Sequence, residues 1–458
     1  MKMDGMTQSE RRTAMALSGI FATRMLGLFM ILPVFAIYAT TLEGQSEFLA
    51  GVAIGIYGLT QAVFQIPMGM LSDKIGRKPV IIGGLIVFAL GSLIAALADD
   101  ITWIIIGRAI QGSGAIAAVV MALASDLTRE EHRMKVMAII GMSIGFSFAL
   151  AMVLGPVLQG IIGVPGIFLV TVFLAIGGIL VVKFLVPTPS ISSFHRDTEL
   201  ETKNLSQILF DPQLLRLDIG IFILHMVLTA TFLAIPKVLQ NNLNILQANH
   251  WQIYLPVLLG SMILLVPFII YAERKRKLKQ VFSGAILLLG LSVYGMWSFS
   301  QSVTGIVLML LLFFTAFNLL EASLPSLVAK IAPATKKGTA MGVYSSSQFL
   351  GIFAGGLIAG KLSELYGFET IFILNMGFVA VWLLLAISMK QPGYLSTQLL
   401  HVGQISESEV NELASQLLNI RGVAEATVIA QDSVAYLKVD KKLLDQDSLW
   451  KYSSHLDL

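Results

Sequence analysis

An uninterrupted apolar run of about 20 residues returns again and again along this chain, the length that a hydrocarbon core of roughly 30 Å demands of a helix. Twelve such spans are expected, at 14–41, 48–70, 79–98, 102–126, 134–160, 165–187, 216–241, 251–272, 280–299, 303–329, 337–362 and 368–389. They read as helices because in lipid only a helix or a closed barrel satisfies its own backbone, and the alternation of barrel strands is absent. A length of 458 residues could by itself hold two or three soluble domains. A composition 56% hydrophobic and 13% charged, with a mean hydropathy of +0.80, excludes that. The opening MKMDGMTQSERR carries charge but no cleavable leader, and the apolar segment behind it is too long for a signal sequence. It is expected to stay as the first helix.

Charge sorting sets the expected topology, because cytoplasmic loops carry the excess of Lys and Arg. Bases crowd the connections on one side: Lys74, Arg77 and Lys78, then Arg129, Arg133 and Lys135, then Arg274, Lys275, Arg276, Lys277 and Lys279. On the other side Lys237 and Lys361 stand among Glu43, Glu47, Asp99, Asp100, Glu364 and Glu369. Both termini are therefore expected in the cytoplasm. A net charge of +3 gives no reason to expect nucleic acid, and the lack of cysteine excludes disulfides. Residues 1–187 and 216–390 read as two six-helix halves joined by a cytoplasmic linker, 188–215. At an offset of 200, Pro67 matches Pro267, Asp73 matches Glu273 and Arg77 matches Lys277, an internal repeat that suits rocking of one half against the other.

After Pro392 the composition turns soluble. A strand at 396–402, a helix at 406–419, a hairpin of 424–430 and 434–440 and a helix from Lys441 give the β-α-β-β-α order of a small ferredoxin-like domain over 395–458. It has no Cys-x-x-Cys pair, and neither metal nor cofactor is expected. The fold class is thus an all-α membrane protein of twelve transmembrane helices with a small α+β domain at its C-terminus.

Between the second and third spans lies Gly69–Val80, GMLSDKIGRKPV, with Gly69, Asp73, Gly76, Arg77 and Lys78 in a connection far too short to be a domain. Glycine permits close backbone approach, and an acid at the membrane interface needs a positive partner. Asp126 ends the fourth span where Arg77 could reach it, so the loop reads as a latch as well as a connector. The pattern G-x-L-S-D-K-x-G-R-K resembles the signature between helices 2 and 3 of the major facilitator superfamily. Arg108-Ala-Ile-Gln111-Gly112-Ser113-Gly114 resembles that superfamily's fourth-helix motif R-x-x-Q-G-x-G. Gly145 through Gly160, with Gly155-Pro156, resembles its fifth-helix Gly-Pro motif of antiporters, although Ala151 and Gln159 replace usual glycines. The resemblance covers about residues 10 to 390, and with the C-terminal domain it points to the bacterial YajR-type branch. It implies that the Asp73–Arg77–Asp126 network, with the start of helix 11 near Gly338, locks an outward-facing state, and that Arg108 takes part in proton coupling. Without the resemblance, the same residues read as surface ion pairs and a structural hydrogen-bond hub.

Charges inside the spans are costly and mark candidate sites. Arg24 lies mid-span in helix 1 and should face a cavity or an acid. Glu321 stands deep in Phe317-Asn-Leu-Leu-Glu321-Ala-Ser as a natural proton carrier, or else as a structural acid beside Asn318. His225, in the middle of helix 7, is a weaker candidate that packing alone could explain. The chain shows no nucleotide-binding Walker loop and no hydrolase triad spacing, so an enzyme is not expected. The expectation is a monomeric, proton-coupled secondary transporter of the bacterial inner membrane, an efflux antiporter for lipophilic small molecules working by alternating access. The alternatives are a proton-coupled importer of a small metabolite and a non-transporting sensor that signals through its C-terminal domain.

Overall fold

The computed structural model describes residues 6–188, 205–333, 336–390, 395–406, 408–430, 433–440 and 442–453. Most of the 188–215 linker expected from the sequence lies outside these residues. Helices long and apolar enough to cross a membrane make up most of the described chain. The first span is two helices, α1 (Gln8–Phe29) and α2 (Leu32–Tyr38), broken just before Pro33. α3 (Glu47–Ile75) and α4 (Arg77–Ala96) follow, and the fourth span is again two pieces, α5 (Ile101–Ser113) and α6 (Ala117–Asp126). α7 runs Glu130–Phe184, its 55 residues reaching about 80 Å if straight, far beyond one bilayer crossing.

Gly163 resolves that excess. Its φ of 69° and ψ of 175° leave the helical region, and the chain doubles back there. Gly155 before the turn packs on Met30 and Thr171 after it packs on Gly27, so both arms of α7 pass the same stretch of α1. With that turn counted, the described residues hold twelve segments long and apolar enough to cross a membrane, as expected. In the second half come α8 (Leu205–Leu209), α9 (Pro212–Lys237), α10 (Trp251–Arg274), α11 (Leu278–Ser298), α12 (Val303–Ile331), α13 (Lys337–Tyr366) and α14 (Thr370–Ile387).

Local chemistry fixes the helix ends. Ser46, Asp100, Asp211 and Ser302 each accept a hydrogen bond from a first-turn N–H of α3, α5, α9 and α12. Gly76, at φ 94°, turns α3 into α4 in a single residue. Two G-x-x-x-G patterns, Gly51–Gly55 on α3 and Gly356–Gly360 on α13, then join the halves. A Cβ on Gly51 would overlap the Gly356 carbonyl oxygen, and one on Gly356 would overlap that of Gly51. In lipid, where no hydrophobic force drives helices together, such close backbone packing is a principal source of adhesion.

The C-terminal domain is β1 (Ser396–His401), α15 (Val410–Leu418), β2 (Val423–Ile429), β3 (Val434–Val439) and α16 (Gln446–Trp450), in the order expected. Its antiparallel sheet has the order β1-β3-β2. Ala435, Leu437 and Val439 face a core with Leu417, Val428 and Leu449. The alternate residues of β3 are buried too, because that face docks on the membrane domain. Lys438 donates to the carbonyls of Lys330 and Ile331 at 3.0 and 3.2 Å, capping α12, and Arg276 pairs with Asp440 at 2.8 Å.

Candidate functional site

In the first half, four helices converge on two arginines. Arg24 of α1 is 2% exposed and donates from Nη2 to Gln61 Oε1 at 2.5 Å, with its guanidinium 5.7 Å from the Phe88 ring centroid. Gln61 in turn donates to Gln65. One turn earlier on α3, the Tyr57 ring lies 5.0 Å from the Arg108 guanidinium. Arg108 donates to Gln111 Oε1 at 2.9 Å and to the Ala53 carbonyl at 3.3 Å, and the Gln111 amide donates to Ser92 at 2.6 Å. The three-residue spacing of Arg108 and Gln111 places both on one face of α5. Gly112 lets that face press on α3, where a Cβ would overlap Tyr57 and Thr60, and Gly114 presses on Gly84 of α4.

In the second half, Glu321 of α12, His225 of α9 and Gln348 of α13 meet. The Gln348 amide donates to His225 Nε2 at 2.8 Å and to Glu321 Oε1 at 3.4 Å. Glu321 Oε2 lies 3.8 Å from His225 Nε2 and has no hydrogen-bond partner, and neither has His225 Nδ1. The Gln348 N–H takes the single lone pair of Nε2, so the open position for an added proton in this triad is Glu321 Oε2. Glu321 is ten residues from the end of α12, about 15 Å or half the bilayer core, yet its side chain is 37% accessible. On the other side of this triad from the basic face stands a chain of rings: Phe317 to Phe148 at 5.9 Å, and Phe148 to Phe29 at 5.0 Å, linking α12 to α7 and α1.

The latch residues also assemble. Arg77, 3% exposed, bonds Asp73, donates to Ser72 at 2.7 Å and reaches Asp126 at 3.3 Å. Lys78 instead donates to the Val186 carbonyl at 2.8 Å, tying the loop to the end of α7. Gly76 provides the turn. Gly69 packs loosely, its nearest neighbour being Ala118 at 4.0 Å from a Cβ. Gly155 seats α7 on the Met30 carbonyl where α1 ends, and the helix continues through Pro156. Gly145 departs from its expected packing role: among the described residues nothing lies within 4 Å of a Cβ there, because that side of α7 is exposed.

Lys237 also differs from its reading as an outer-loop base. It is the last residue of α9, 6% exposed, and its ammonium pairs with Glu47 at the first turn of α3. Ser363 of α13 donates to the same carboxylate at 3.1 Å, so three helices from both halves are tied at the acidic face. Sequence reasoning missed Gln61, Gln348 and this ion pair, since nothing along the chain links residues 190 apart. It passed over Asp218 as well, 6% exposed and two turns below His225 on α9, because it sits only three residues into its span. Tyr344, one turn before Gln348, lies within electrostatic reach of both Asp218 and Glu321. No cluster of three or more His, Asp or Glu among the described residues could hold a metal.

Comparison with known proteins identifies the family and the fold. The profile of the Major Facilitator Superfamily matches residues 17–277 and 217–398. The inner membrane transport protein YajR of Escherichia coli is 47% identical over 442 residues, covering 96% of this chain and 97% of that protein. The multidrug resistance protein MdtH of Aeromonas hydrophila is 25% identical over 357 residues, covering 74% and 85%. Among solved structures, a bacterial homologue of the lysosomal transporter Spinster aligns with a TM-score of 0.68 at 14% identity, covering 84% and 97%. The nucleoside transporter NupG aligns with a TM-score of 0.67 at 14% identity, covering 82% and 99%, a likeness of fold. The chain belongs to the major facilitator superfamily of multi-pass membrane transporters.

Proposed function

We propose that this protein is a proton-coupled secondary transporter of the bacterial inner membrane, working as a monomer by alternating access and exporting small molecules in exchange for protons. The observation that carries the reading is the Glu321–His225–Gln348 triad: a carboxyl at mid-membrane depth, open on one side and lacking one hydrogen-bond donor. The asymmetry of basic loops supports a cytoplasmic location for the face bearing Gly69–Val80 and for both termini. The Glu47–Lys237–Ser363 tie and the glycine seam of α3 and α13 then close the outer side. Opening that side requires the seam to part while the Asp73–Arg77–Asp126 latch steadies the inner end of the first half. Arg108, held by neutral partners, supplies a fixed positive field on the proton's route. The printed names of YajR and MdtH, a transport protein and a multidrug resistance protein, support transport and export respectively. The fifth-helix Gly155-Pro156 supports antiport.

The test is proton movement in liposomes loaded with a pH-sensitive dye, driven by a panel of lipophilic compounds. Substrate-dependent proton flux is expected to vanish in Glu321→Gln and to persist at a reduced rate in Glu321→Asp. Full flux in folded Glu321→Gln removes Glu321 as the proton site.

A further inference from the structure

Two buried polar groups of the second half stand outside the triad. Asp218 of α9 is 6% exposed and makes no ion pair or hydrogen bond among the described residues. The Tyr344 hydroxyl of α13 is enclosed and has no partner either. A carboxyl and a hydroxyl left idle inside a membrane protein are costly, and such groups mark proton or ligand routes.

Helix geometry brings both to the triad. Asp218 and His225 are seven residues apart, two turns along one face of α9 and about 10 Å on its axis. Tyr344, Gln348, Gly351 and Gly355 form one stripe of α13 in steps of four and three. At its two glycines this stripe presses on the Phe222 and Met226 carbonyls of α9. The Tyr344 hydroxyl thus comes within electrostatic reach of Glu321 and Asp218 together. Glu321 Oε2 is the third enclosed group there that lacks a partner. Glu321 lies about 15 Å from the basic end of α12, and Asp218 about 9 Å from the basic end of α9. The other elements packed on α9 bring little charge to this level. α8 and α14 have no titratable side chain, and Trp382 of α14 meets the opposite side of α9 at Gly220. Arg216 turns to Ser388, Glu47 pairs at the outer end, and Lys330 and Lys337 stand at helix ends on the basic face.

We infer that Asp218 is a second proton-binding residue and that Tyr344 passes protons between it and Glu321. The inference rests on the proton-site reading of Glu321 and gives that site its route to the basic face. A water bridges each gap. The proton of Glu321 Oε2 moves through the first water to Tyr344 Oη as that hydroxyl releases its own proton toward the Asp218 carboxylate. Tyr344 ends neutral with its O–H renewed, Glu321 is left as the carboxylate, and Asp218 delivers the proton to water at the basic face.

The experiment is infrared spectroscopy of the full chain in liposomes through a pH jump, with the proton itself as the probe. The acid-minus-alkaline spectrum of the parent is expected to hold one carboxyl band lost in Glu321→Gln and a second lost in Asp218→Asn. Tyr344→Phe should keep both bands, while its Glu321 band rises about tenfold more slowly or worse. That variant should unfold no earlier than the parent, because the hydroxyl removed has no partner. The inference falls if Asp218→Asn leaves the parent spectrum unchanged, or if the Glu321 band rises at the parental rate in Tyr344→Phe. It falls equally if Tyr344→Phe is clearly destabilised, since the hydroxyl then serves the fold. Should Asp218→Asn not reach the membrane, Asp218→Glu carries the assignment through a shift of the second band. A parent without a Glu321 band overturns the proton-site reading and the relay with it, whereas a Glu321 band indifferent to Asp218 and Tyr344 removes only the relay.

Discussion

Gly356→Ala tests whether the α3–α13 seam is the part of the molecule that opens. A methyl group at Gly356 would overlap the Gly51 carbonyl oxygen and stand 3.0 and 3.1 Å from the N and Cα of Gly55. All three are backbone atoms, so no side-chain rotation relieves the clash. The helices must separate by on the order of 1 Å to restore ordinary contact distances. Overpacking of this kind costs about 1–3 kcal/mol, and the cost falls only on the state in which the seam is closed. If transport parts the seam, the equilibrium should move toward the parted state by about 5- to 150-fold. The chain has no cysteine, so Ala359→Cys, fully buried on α13 one turn from Gly356, is a clean reporter. Its rate of reaction with a maleimide in nanodiscs should rise by about fivefold or more in the Gly356→Ala background. An unchanged rate in folded protein would refute the reasoning, because it would mean that the clash relaxes locally and the seam does not part.

The latch should be unequal in its two acids: Asp126 is fully buried beside Arg77, whereas Asp73 is 48% exposed. Asp126→Asn is expected to cost about 3 kcal/mol of thermal stability in detergent, and Asp73→Asn under about 1 kcal/mol; equal losses would contradict the burial argument. At the C-terminal domain, the hydrogen bond from Arg276 holds the Asp440 carboxyl below the usual carboxylate range. A depressed carboxyl contributes its attachment above its unfolded value and loses it as pH falls through the folded one. The domain should therefore stay docked through mildly acidic pH and loosen only in strong acid, while Asp440→Asn loosens it already at neutral pH. The distance between spin labels on α11 and α15 reads this directly.

The spans and the β-α-β-β-α order were legible because each rests on a local pattern, apolar length in one case and alternation in the other. Local spacing also carried the Arg108–Gln111 pair, three residues apart on one helix face, and the Arg77–Asp73 pair, four residues apart across the Gly76 turn. The breaks before Pro33 and at Gly114 were not legible, since each lies inside a segment whose length and overall hydropathy read as one continuous span. The G-x-x-x-G patterns of α3 and α13 were in plain view, yet a small-residue stripe does not name its partner. His225 shows the limit best. Alone on an apolar face it reads as packing, and only the fold, bringing in Glu321 from 96 residues away, gives it a carboxyl at 3.8 Å.

The polar groups of the two halves differ in kind as well as position. Arg24 and Arg108 keep their charge at any physiological pH, because a guanidinium does not release its proton in that range. Glu321, His225 and Asp218, all in the second half, can each change charge by gaining or losing one proton. On the proposed proton-coupled reading, the first half keeps a constant field, which Arg108 lends to the proton's route, and protonation in the second half acts through the contact between halves, which is where the Phe29–Phe148–Phe317 rings and the glycine seam lie. On this reading a change of one charge at Glu321 is felt in the first half only when the halves rock, and that is the condition for coupling two fluxes without leaking either.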